Sequence, residues 1–295
     1  MMLLSDCLQE FIRYQKLKNN SKATIENYSL IVDKFIQFCG DVDSLTLTAD
    51  IVNNYNIYLR DCVKLVSVRT YIRHIRVFVN FCIRKGYCSN IYADIVIPQK
   101  AKKVIDVLTP SDVKSLLACF GSDYYSMRNR AMILLMLDSG LRASEVVSLA
   151  LDNVNLDYNY VKVIGKGDKE RVVPVGTATA AALKNYIRIR PSSDYGLMFL
   201  SYNGYPLTRT VFKKMFRHLR RLTGIKKLYP HLLRHTFATN YLLYGDGDVY
   251  KLSMLMGHSD IQTTEIYLHY ANYYSFMQHK KSYSFVDDIT DNETP

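Results

Sequence analysis

The 295-residue sequence lacks the cysteine patterns that mark zinc-binding or disulfide-stabilised proteins. Its six cysteines include no CxxC pair, and no cluster of them has the spacing of zinc ligands. We therefore expect free thiols in a reducing compartment and no structural metal. The Walker phosphate-binding motif is also missing, which argues against a nucleotide site of that type.

Segments that would direct the chain to a membrane are absent as well. The first ten residues, MMLLSDCLQE, contain neither the basic stretch nor the apolar run of a signal peptide. The longest strongly apolar run, AMILLML at residues 131–137, is far shorter than the roughly 20 residues that span a bilayer. These absences predict a soluble, cytoplasmic protein with no membrane partner.

Basic residues outnumber acidic ones, so that the net charge is +11 at pH 7 and the pI is near 9.2. This imbalance indicates a polyanionic partner, nucleic acid before membrane. Residues 286–295 carry four acidic side chains and no basic one, so the rest of the chain is more basic than the total suggests. We expect this acidic end to be a solvated tail.

Residues 1–97 have the apolar periodicity of four short helices. The second predicted helix follows Ser21 or Thr24 and ends at Gly40, and the fourth begins at Ser67. Because each helix has one apolar face, the four are expected to pack into a compact helical domain.

The fourth predicted helix carries a second stripe, made only of arginines. At about 100° per residue its members lie within roughly 80° of one another; they are Arg69, Arg73, Arg76 and Arg84. Such a stripe is either an ordinary solvated face or a surface that contacts a phosphate backbone. We interpret it as a candidate DNA-facing surface.

A basic linker at residues 98–108, with three lysines and one proline, is predicted to separate two domains. Thr109 and Pro110 then form the N-cap and the first residue of a new helix. The following pattern is mostly helical, with one β-hairpin whose GKGDK turn contains Lys166. The predicted fold class is mainly α: a four-helix domain, then a mixed, mostly helical domain (109–285) with a small antiparallel β-hairpin.

The stretch YPHLLRHTFATN at residues 229–240 places a histidine and an arginine at the start of a helix. Pro230 favours the first helical turn, which puts His231 among the free N–H groups at the positive end of the helix dipole. Arg234 lies on the same face, one turn further on. Together the three features suit a phosphate group.

Two other interpretations of this stretch stay open when it is considered alone. A metal site would use His231 and His235, but the glutamate of the HExxH motif is missing and Arg234 would repel a cation. The second alternative is an ordinary capped helix with a histidine on its surface.

Three further segments contain candidate site residues, each of which also has an ordinary structural explanation. Arg142 lies between two predicted helices, where arginines often bind loop carbonyls, and Lys166 lies in a turn, where lysines are usually solvated. Tyr267 follows His258 by nine residues, half a revolution on an unbroken helix. Gly257 and the polar residues after it predict a break that lets both side chains reach one site.

Four motifs, in their order and separations, resemble those of the tyrosine recombinases, the phage-integrase and Xer-type site-specific DNA recombinases. They span residues 139–270 and are SGLRASE, VIGKGDKERVVPV, PHLLRHTFATN and LMGHSDIQTTEIYLHY. The resemblance implies a SAM-like core-binding domain at residues 1–97 and a catalytic domain at residues 109–285. Because no arm-binding domain precedes the helical bundle, a Xer-type resolvase or a small mobile-element integrase is expected.

The resemblance implies a role for each candidate residue in an attack on one DNA phosphate. Arg142 and Arg234 would clamp the non-bridging oxygens of the scissile phosphate and stabilise the transition state. His231 would donate to this phosphate or accept the tyrosine proton. Lys166 would protonate the departing 5′-oxygen, and His258 would hold the phosphate further.

Tyr267 matches the nucleophile of the family, which forms a 3′-phosphotyrosyl bond and frees a 5′-hydroxyl. A phenol has a pKa of about 10 in water, so a cationic pocket is needed to favour phenolate. Glu145 matches an acidic position that orients other residues without reacting. No metal, cofactor or ATP is implied, because basic side chains neutralise the phosphate and the covalent bond retains its energy.

Double-stranded DNA with inverted-repeat core sites is the implied partner, and the basic linker would let the two domains close around it. A helix after Tyr267 is expected to pack into a neighbouring protomer and to form a tetramer on DNA, with an accessory or sister recombinase as a further partner. Two alternatives stay open: a type IB topoisomerase that relaxes DNA, and a DNA-binding regulator without catalysis.

Overall fold

The computed structural model describes residues 2–99, 106–165, 170–245, 247–258, 260–268 and 271. The chain forms two compact units, Met1–Lys103 and Val104–Pro295. Lys166, most of the predicted linker, the predicted helix after Tyr267 and the acidic tail lie outside the described residues. Within the described ranges, no helix has both the length and the apolar character needed to cross a bilayer.

Four α-helices form the first unit, as the sequence predicted: α1 (Leu4–Leu17), α2 (Lys22–Cys39), α3 (Ala49–Cys62) and α4 (Leu65–Lys85). The side chain of Ser21 caps α2 by accepting a hydrogen bond from the backbone N–H of Thr24. The sequence predicted that α4 would begin at Ser67, but the helix begins two residues earlier, at Leu65. Lys64 takes the N-cap position and its side chain makes no capping bond, so this start has no signal in the sequence.

Aromatic side chains occupy the centre of the first unit. Phe11, Phe35, Tyr55 and Phe78 are almost completely buried, and the rings of Phe11 and Phe78 meet edge-on at 5.5 Å. Burial of this apolar surface stabilises the four-helix packing by roughly 25 cal/mol for each Å² removed from water. The opposite faces of the helices are left for charged residues.

The second unit combines helices with one small sheet. Its helices are α5 (Pro110–Ala118), α6 (Tyr124–Ser139), α7 (Ala143–Val147), α8 (Thr177–Ile189), α9 (Arg209–Thr223), α10 (Pro230–Tyr244) and α11 (Val249–Met256); residues 262–268 are also helical. The antiparallel strands lie in the order β1 (Val154–Asn155), β2 (Tyr160–Ile164), β3 (Glu170–Pro174). The predicted hairpin is therefore present as β2 and β3, extended by a short third strand.

Helix α6 is the centre of the apolar core of the second unit. Most of its AMILLML run is fully buried, including Met132, Ile133, Leu135 and Met136. It packs against both α8 and α10, so apolar residues are favoured around most of its circumference. Because α6 is held on both sides, the backbone at its C-terminal end, at Gly140, is also fixed in place.

Glycines in the left-handed conformation end α6 and α11 and turn the chain sharply after each helix. Gly140 has a φ of 60° and Gly257 a φ of 63°, and a side chain at Gly140 would also overlap the ring of Phe237. These residues end the helices as the sequence predicted. The N–H groups in these turns bond to some carbonyls of the final turn, and because the helices end here, the very last carbonyls have no intrahelical donors.

We expect Gly140→Ala to lower the free energy of unfolding by roughly 2–4 kcal/mol, because the added methyl group meets left-handed strain and the Phe237 ring together. Gly224 ends α9 with a φ of 70° and has nothing within 4 Å of an added Cβ, which makes it a matched control. Gly224→Ala is expected to cost only about 1 kcal/mol, the strain alone. Urea denaturation of the three proteins measures both losses, and equal losses would contradict the Phe237 contact.

Candidate active site

Three consecutive carbonyls at the end of α11 each accept a hydrogen bond from a different arginine. The pairs are Arg171 Nε with Leu255 at 2.7 Å, Arg234 Nη2 with Met256 at 2.7 Å and Arg142 Nη2 with Gly257 at 2.8 Å. The last carbonyls of a helix lack intrahelical donors and carry the negative end of the helix dipole, so they attract cations. The end of α11 thereby gathers guanidinium groups from three separate parts of the chain.

Arg234 is deeply buried, with only 4% of its surface exposed. Besides its bond to Met256, Nη1 donates to the carbonyl of Gly140 at 2.6 Å and Nη2 contacts Nε2 of His258 at 2.9 Å. Burial and the charge of Arg142 lower the pKa of Arg234 to about 10, so it remains a cation at neutral pH. Among the described residues nothing accepts a hydrogen bond from its Nε–H, which leaves that donor for a ligand.

Glu145 bridges Arg142 and Arg171. Its Oε1 accepts from Nη1 of Arg142 at 2.8 Å and from Nη1 of Arg171 at 2.9 Å. Its Oε2 accepts from Nη2 of Arg171 at 2.8 Å and from the backbone N–H of Arg142 at 2.7 Å. Burial raises the pKa of Glu145, but the hydrogen bonds from Arg171 and Arg142 outweigh it and hold the pKa below its ordinary value. The ionised carboxylate keeps two like charges close together.

Sequence reasoning missed Arg171, which β3 directs toward this cluster. Val173 on the same strand is buried, and residues two apart on a strand point to the same face, so Arg171 also points inward. A basic residue on the buried face of a strand is unusual, and this was the available signal. Arg171 ties β3, the strand that follows the Lys166 segment, to α11.

The ring of Tyr267 lies in apolar surroundings, whereas its hydroxyl has a polar partner. Tyr267 belongs to the helical residues 262–268, is 3% exposed, and packs in a small apolar cluster with Leu252 and Met256 of α11. Its hydroxyl contacts Nδ1 of His235 at 2.8 Å. The ring is thus fixed by packing, while the reactive oxygen has a polar partner.

Electrostatics keep this tyrosine protonated and its partner neutral in the free protein. Burial raises the pKa of Tyr267 to about 12, although the charges of Arg234 and Arg142 act in the opposite direction. Burial, and then the charges of His231 and Arg234, lower the pKa of His235 to about 4. At neutral pH both groups are therefore uncharged, and one hydrogen bond joins the phenol to the imidazole.

His258 lies directly after Gly257, and both of its ring nitrogens are engaged. Nδ1 contacts Oγ1 of Thr264 at 2.7 Å, and Nε2 contacts Nη2 of Arg234 at 2.9 Å. Burial and the charge of Arg234 lower the pKa of His258 to about 4, so its ring is neutral at neutral pH. Because an arginine can only donate, Nε2 accepts and Nδ1–H donates to Thr264. In this state His258 offers no donor to a phosphate.

His231 lies in the first turn of α10, where the sequence placed it, and is exposed. Desolvation by its surroundings, and then the charges of Arg234 and Arg142, lower the pKa of His231. The structure thus brings together most of the residues that the sequence singled out: Arg142, Glu145, His231, Arg234, His258 and Tyr267.

The arginine stripe of α4, in the other unit, is divided by its contacts. Arg69 donates from Nη1 to the carbonyl of Pro98, and the guanidinium of Arg76 lies over the ring of Tyr92 at 3.9 Å. These two side chains therefore bind the segment that follows α4. Cation–π stacking of this kind is worth about 0.5–2 kcal/mol, so it competes with an external phosphate.

The other two arginines of the stripe, Arg73 and Arg84, are exposed. Arg84 makes one long contact, from Nη1 to the hydroxyl of Tyr14 at 3.4 Å. Helical periodicity predicted four equivalent arginines. In the structure only these two members of the stripe are exposed.

Two family models match the chain. The model of the phage integrase family matches residues 106–273, more than half of the sequence, and that of the phage integrase SAM-like domain matches residues 3–100. The tyrosine recombinase XerD of Halalkalibacterium halodurans is 32% identical over 283 residues, which cover 91% of this chain and 94% of the relative.

Solved structures with DNA share the fold. The Tn1549 transposon integrase in complex with transposon right end DNA has a TM-score of 0.78 at 19% identity and covers 90% of this chain and 94% of that chain. A lambda integrase dimer bound to a COC′ core site has a TM-score of 0.75 at 16% identity, with coverages of 90% and 95%. At these identities the likeness shows the fold alone.

We expect Glu145→Gln to lower the free energy of unfolding at neutral pH by about 2–3 kcal/mol, because it leaves two partly buried guanidinium groups without a counter-charge. Folding lowers the pKa of Glu145, so the carboxylate adds stability that is fully present above its ordinary pKa of 4.5 and is lost as pH falls through the lower, folded value. The difference between wild type and variant should therefore shrink in acid.

Glu170→Gln is the matched control, because Glu170 pairs with Lys162 at the surface and its side chain is 53% exposed. It should change the free energy of unfolding by less than about 1 kcal/mol at any pH. Urea denaturation at a series of pH values measures both variants. A constant difference between wild type and Glu145→Gln from neutral pH into acid would contradict the ion-pair account.

Proposed function

The chain belongs to the phage integrase family and is a tyrosine-type site-specific recombinase that acts on DNA, and we propose that Tyr267 performs its strand cleavage. One observation supports this role best: Arg234 and Arg142 lie close enough to the buried phenol for their charges to favour its ionised form, although burial keeps its pKa raised in the free protein. Attack of the phenolic oxygen on phosphorus joins Tyr267 to the 3′-phosphate and frees a 5′-hydroxyl.

Arg142 and Arg234 bind the non-bridging oxygens of the attacked phosphate. The Nε–H of Arg234 and the guanidinium of Arg142, whose side chain is 29% exposed, supply the donors. The carbonyls of α11 and the carboxylate of Glu145 hold both groups before DNA arrives. Little reorganisation is then needed when negative charge develops in the transition state, which is the condition for strong electrostatic catalysis. His231, exposed beside them, donates to the same phosphate.

His258 changes partner when a phosphate binds. In the free protein its Nε2 accepts from Arg234, which is the place an anionic oxygen takes when DNA is present. The negative charge of the phosphodiester also favours the protonated ring. His258 then donates from Nε2 to the phosphate, while Nδ1 stays on Thr264. In the free protein the imidazole of His258 thus takes the place beside Arg234 that the phosphate oxygen takes in the complex.

Lys166 acts as the general acid that protonates the departing 5′-oxygen. It precedes β3 in the sequence, and Arg171 ties β3 to the arginine cluster through Glu145 and Leu255. The reaction needs no metal, cofactor or ATP, since the cationic side chains neutralise the phosphate and the phosphotyrosyl bond retains the energy needed for rejoining.

The partner that we propose is double-stranded DNA with inverted-repeat core sites, met in the cytoplasm. The lambda integrase structure, in which a dimer is bound to a core site, supports a partner of this kind and the binding of more than one protomer. Two such dimers form a tetramer through the segment after Tyr267. A sister or accessory recombinase replaces some of the four protomers when the two half-sites differ.

Tyr267→Phe is expected to abolish SDS-resistant protein–DNA adducts on fragmented genomic DNA and to leave DNA affinity roughly unchanged, since only the reacting oxygen is lost. Tyr250→Phe, at a tyrosine of α11 that is 65% exposed, is the control and should form adducts like wild type. The assay is run in EDTA, so adducts from wild type also test the metal-free scheme. Adducts that persist in Tyr267→Phe would place the nucleophile elsewhere.

We further expect the double variant Arg73→Ala, Arg84→Ala to weaken DNA binding and to reduce the slope of log K against log salt by about two, one for each lost phosphate contact. Lys16→Ala with Lys22→Ala removes the same charge from exposed positions outside the stripe and serves as the control. Electrophoretic mobility shifts at several salt concentrations measure both slopes. Equal slopes for the two double variants would return the stripe to an ordinary solvated face.

A further inference from the structure

We propose that His235 is the base that accepts the proton of Tyr267 during strand cleavage, an inference that rests on the proposed role of Tyr267. The sequence presented His235 only as one half of a metal pair, and the resemblance offered His231 for the proton. The structure instead places Nδ1 of His235 2.8 Å from the Tyr267 hydroxyl, within hydrogen-bond distance.

No other described residue forms a hydrogen bond to this hydroxyl. His231, one turn earlier on α10, has its ring centroid 6.4 Å from that of His235 and makes no hydrogen bond to the tyrosine. His235 follows Arg234 directly and therefore projects about 100° further around α10. This offset separates the two side chains, so that Arg234 reaches the carbonyl cluster while His235 reaches the tyrosine.

The contact between Tyr267 and His235 is short enough for direct proton transfer from the hydroxyl to the imidazole. A phenol with a raised pKa keeps its proton, and an imidazole with a lowered pKa has a free lone pair. In the tautomer that the proposed transfer uses, Nδ1 of His235 is the acceptor and the other ring nitrogen, Nε2, carries the hydrogen. A proton that leaves the hydroxyl as it attacks finds this lone pair already aligned.

The step balances without any further reactant. The oxygen of Tyr267 forms a bond to phosphorus, the bond from phosphorus to the 5′-oxygen breaks, and the phenolic proton moves to Nδ1 of His235. The 5′-oxygen takes its proton from a separate donor, for which Lys166 is proposed. In the rejoining step a 5′-hydroxyl attacks phosphorus, its proton returns to that donor, and the departing Tyr267 recovers its proton from His235.

The same geometry keeps the proton on Tyr267 before DNA is bound. Burial and two neighbours, His231 and Arg234, weaken His235 as a base before DNA is bound. A phosphodiester held by the arginines places a negative charge among these groups and offsets their effect. His235 thus gains basicity when a phosphate is in position, and the proton stays on the tyrosine until then.

The test uses the full-length chain and a synthetic duplex that carries the site attacked by wild type in fragmented genomic DNA. His235→Asn places an amide oxygen near the Nδ1 position and keeps a hydrogen-bond acceptor that cannot take a proton, whereas His235→Ala removes both functions. Single-turnover adduct formation should slow by about 100-fold or more in each variant. Added imidazole should restore part of the rate of His235→Ala. His218→Asn, at an exposed histidine of α9, is the control and should match wild type.

A second duplex, with sulfur in place of the 5′-bridging oxygen, separates the base from the acid. Sulfur leaves without a proton, so Lys166→Ala should be rescued on this duplex while both His235 variants stay slow. Three outcomes would each overturn the role of His235 and leave the proposed nucleophile in place. They are wild-type rates in His235→Asn, cleavage by His235→Ala that is faster than by wild type, and rescue of the His235 variants by sulfur. Adducts in Tyr267→Phe would overturn the proposed nucleophile, and this inference with it.

Discussion

The end of one short helix holds this site together. Guanidinium groups repel one another, and the repulsion is stronger in a protein interior than in water. Here the last carbonyls of α11 and the carboxylate of Glu145 offset it, so that Arg142, Arg171 and Arg234 stay together although they come from three different elements. The positive pocket is therefore a property of how α11 docks, and no single motif contains it.

The remaining parts of the site follow from this cluster of charge. Its field and burial keep His235 and His258 neutral, while burial alone keeps Tyr267 protonated against the arginine charges, so these two imidazoles are uncharged in the free protein. Each histidine is bound to a group that the reaction uses, His258 to Arg234 and His235 to Tyr267. In the proposed mechanism, DNA supplies the negative charge that changes both arrangements, and the substrate thus completes the electrostatics of the site.

Much of this could be predicted from the sequence, and the failures have physical reasons. Helix starts with side-chain caps and helix ends at glycine were predicted because their signals are local. The contacts of Arg171 with Glu145 and of His235 with Tyr267 were missed because each depends on which distant element packs against that side chain. The arginine stripe was predicted as uniform, since periodicity places side chains on a face but says nothing of the segment at Tyr92 and Pro98 that covers half of it.

Helix α11 has a second contact, which gives its docking a further consequence. Leu252 and Met256 share an apolar cluster with Tyr267, so the helix that holds the proposed phosphate clamp also helps to seat the proposed nucleophile. A protomer in which α11 is displaced loses both at once. With the roles proposed above, no half-assembled state remains in which a phenol opens a strand without the cations required to reseal it, and an incorrectly assembled complex leaves DNA intact instead of nicking it.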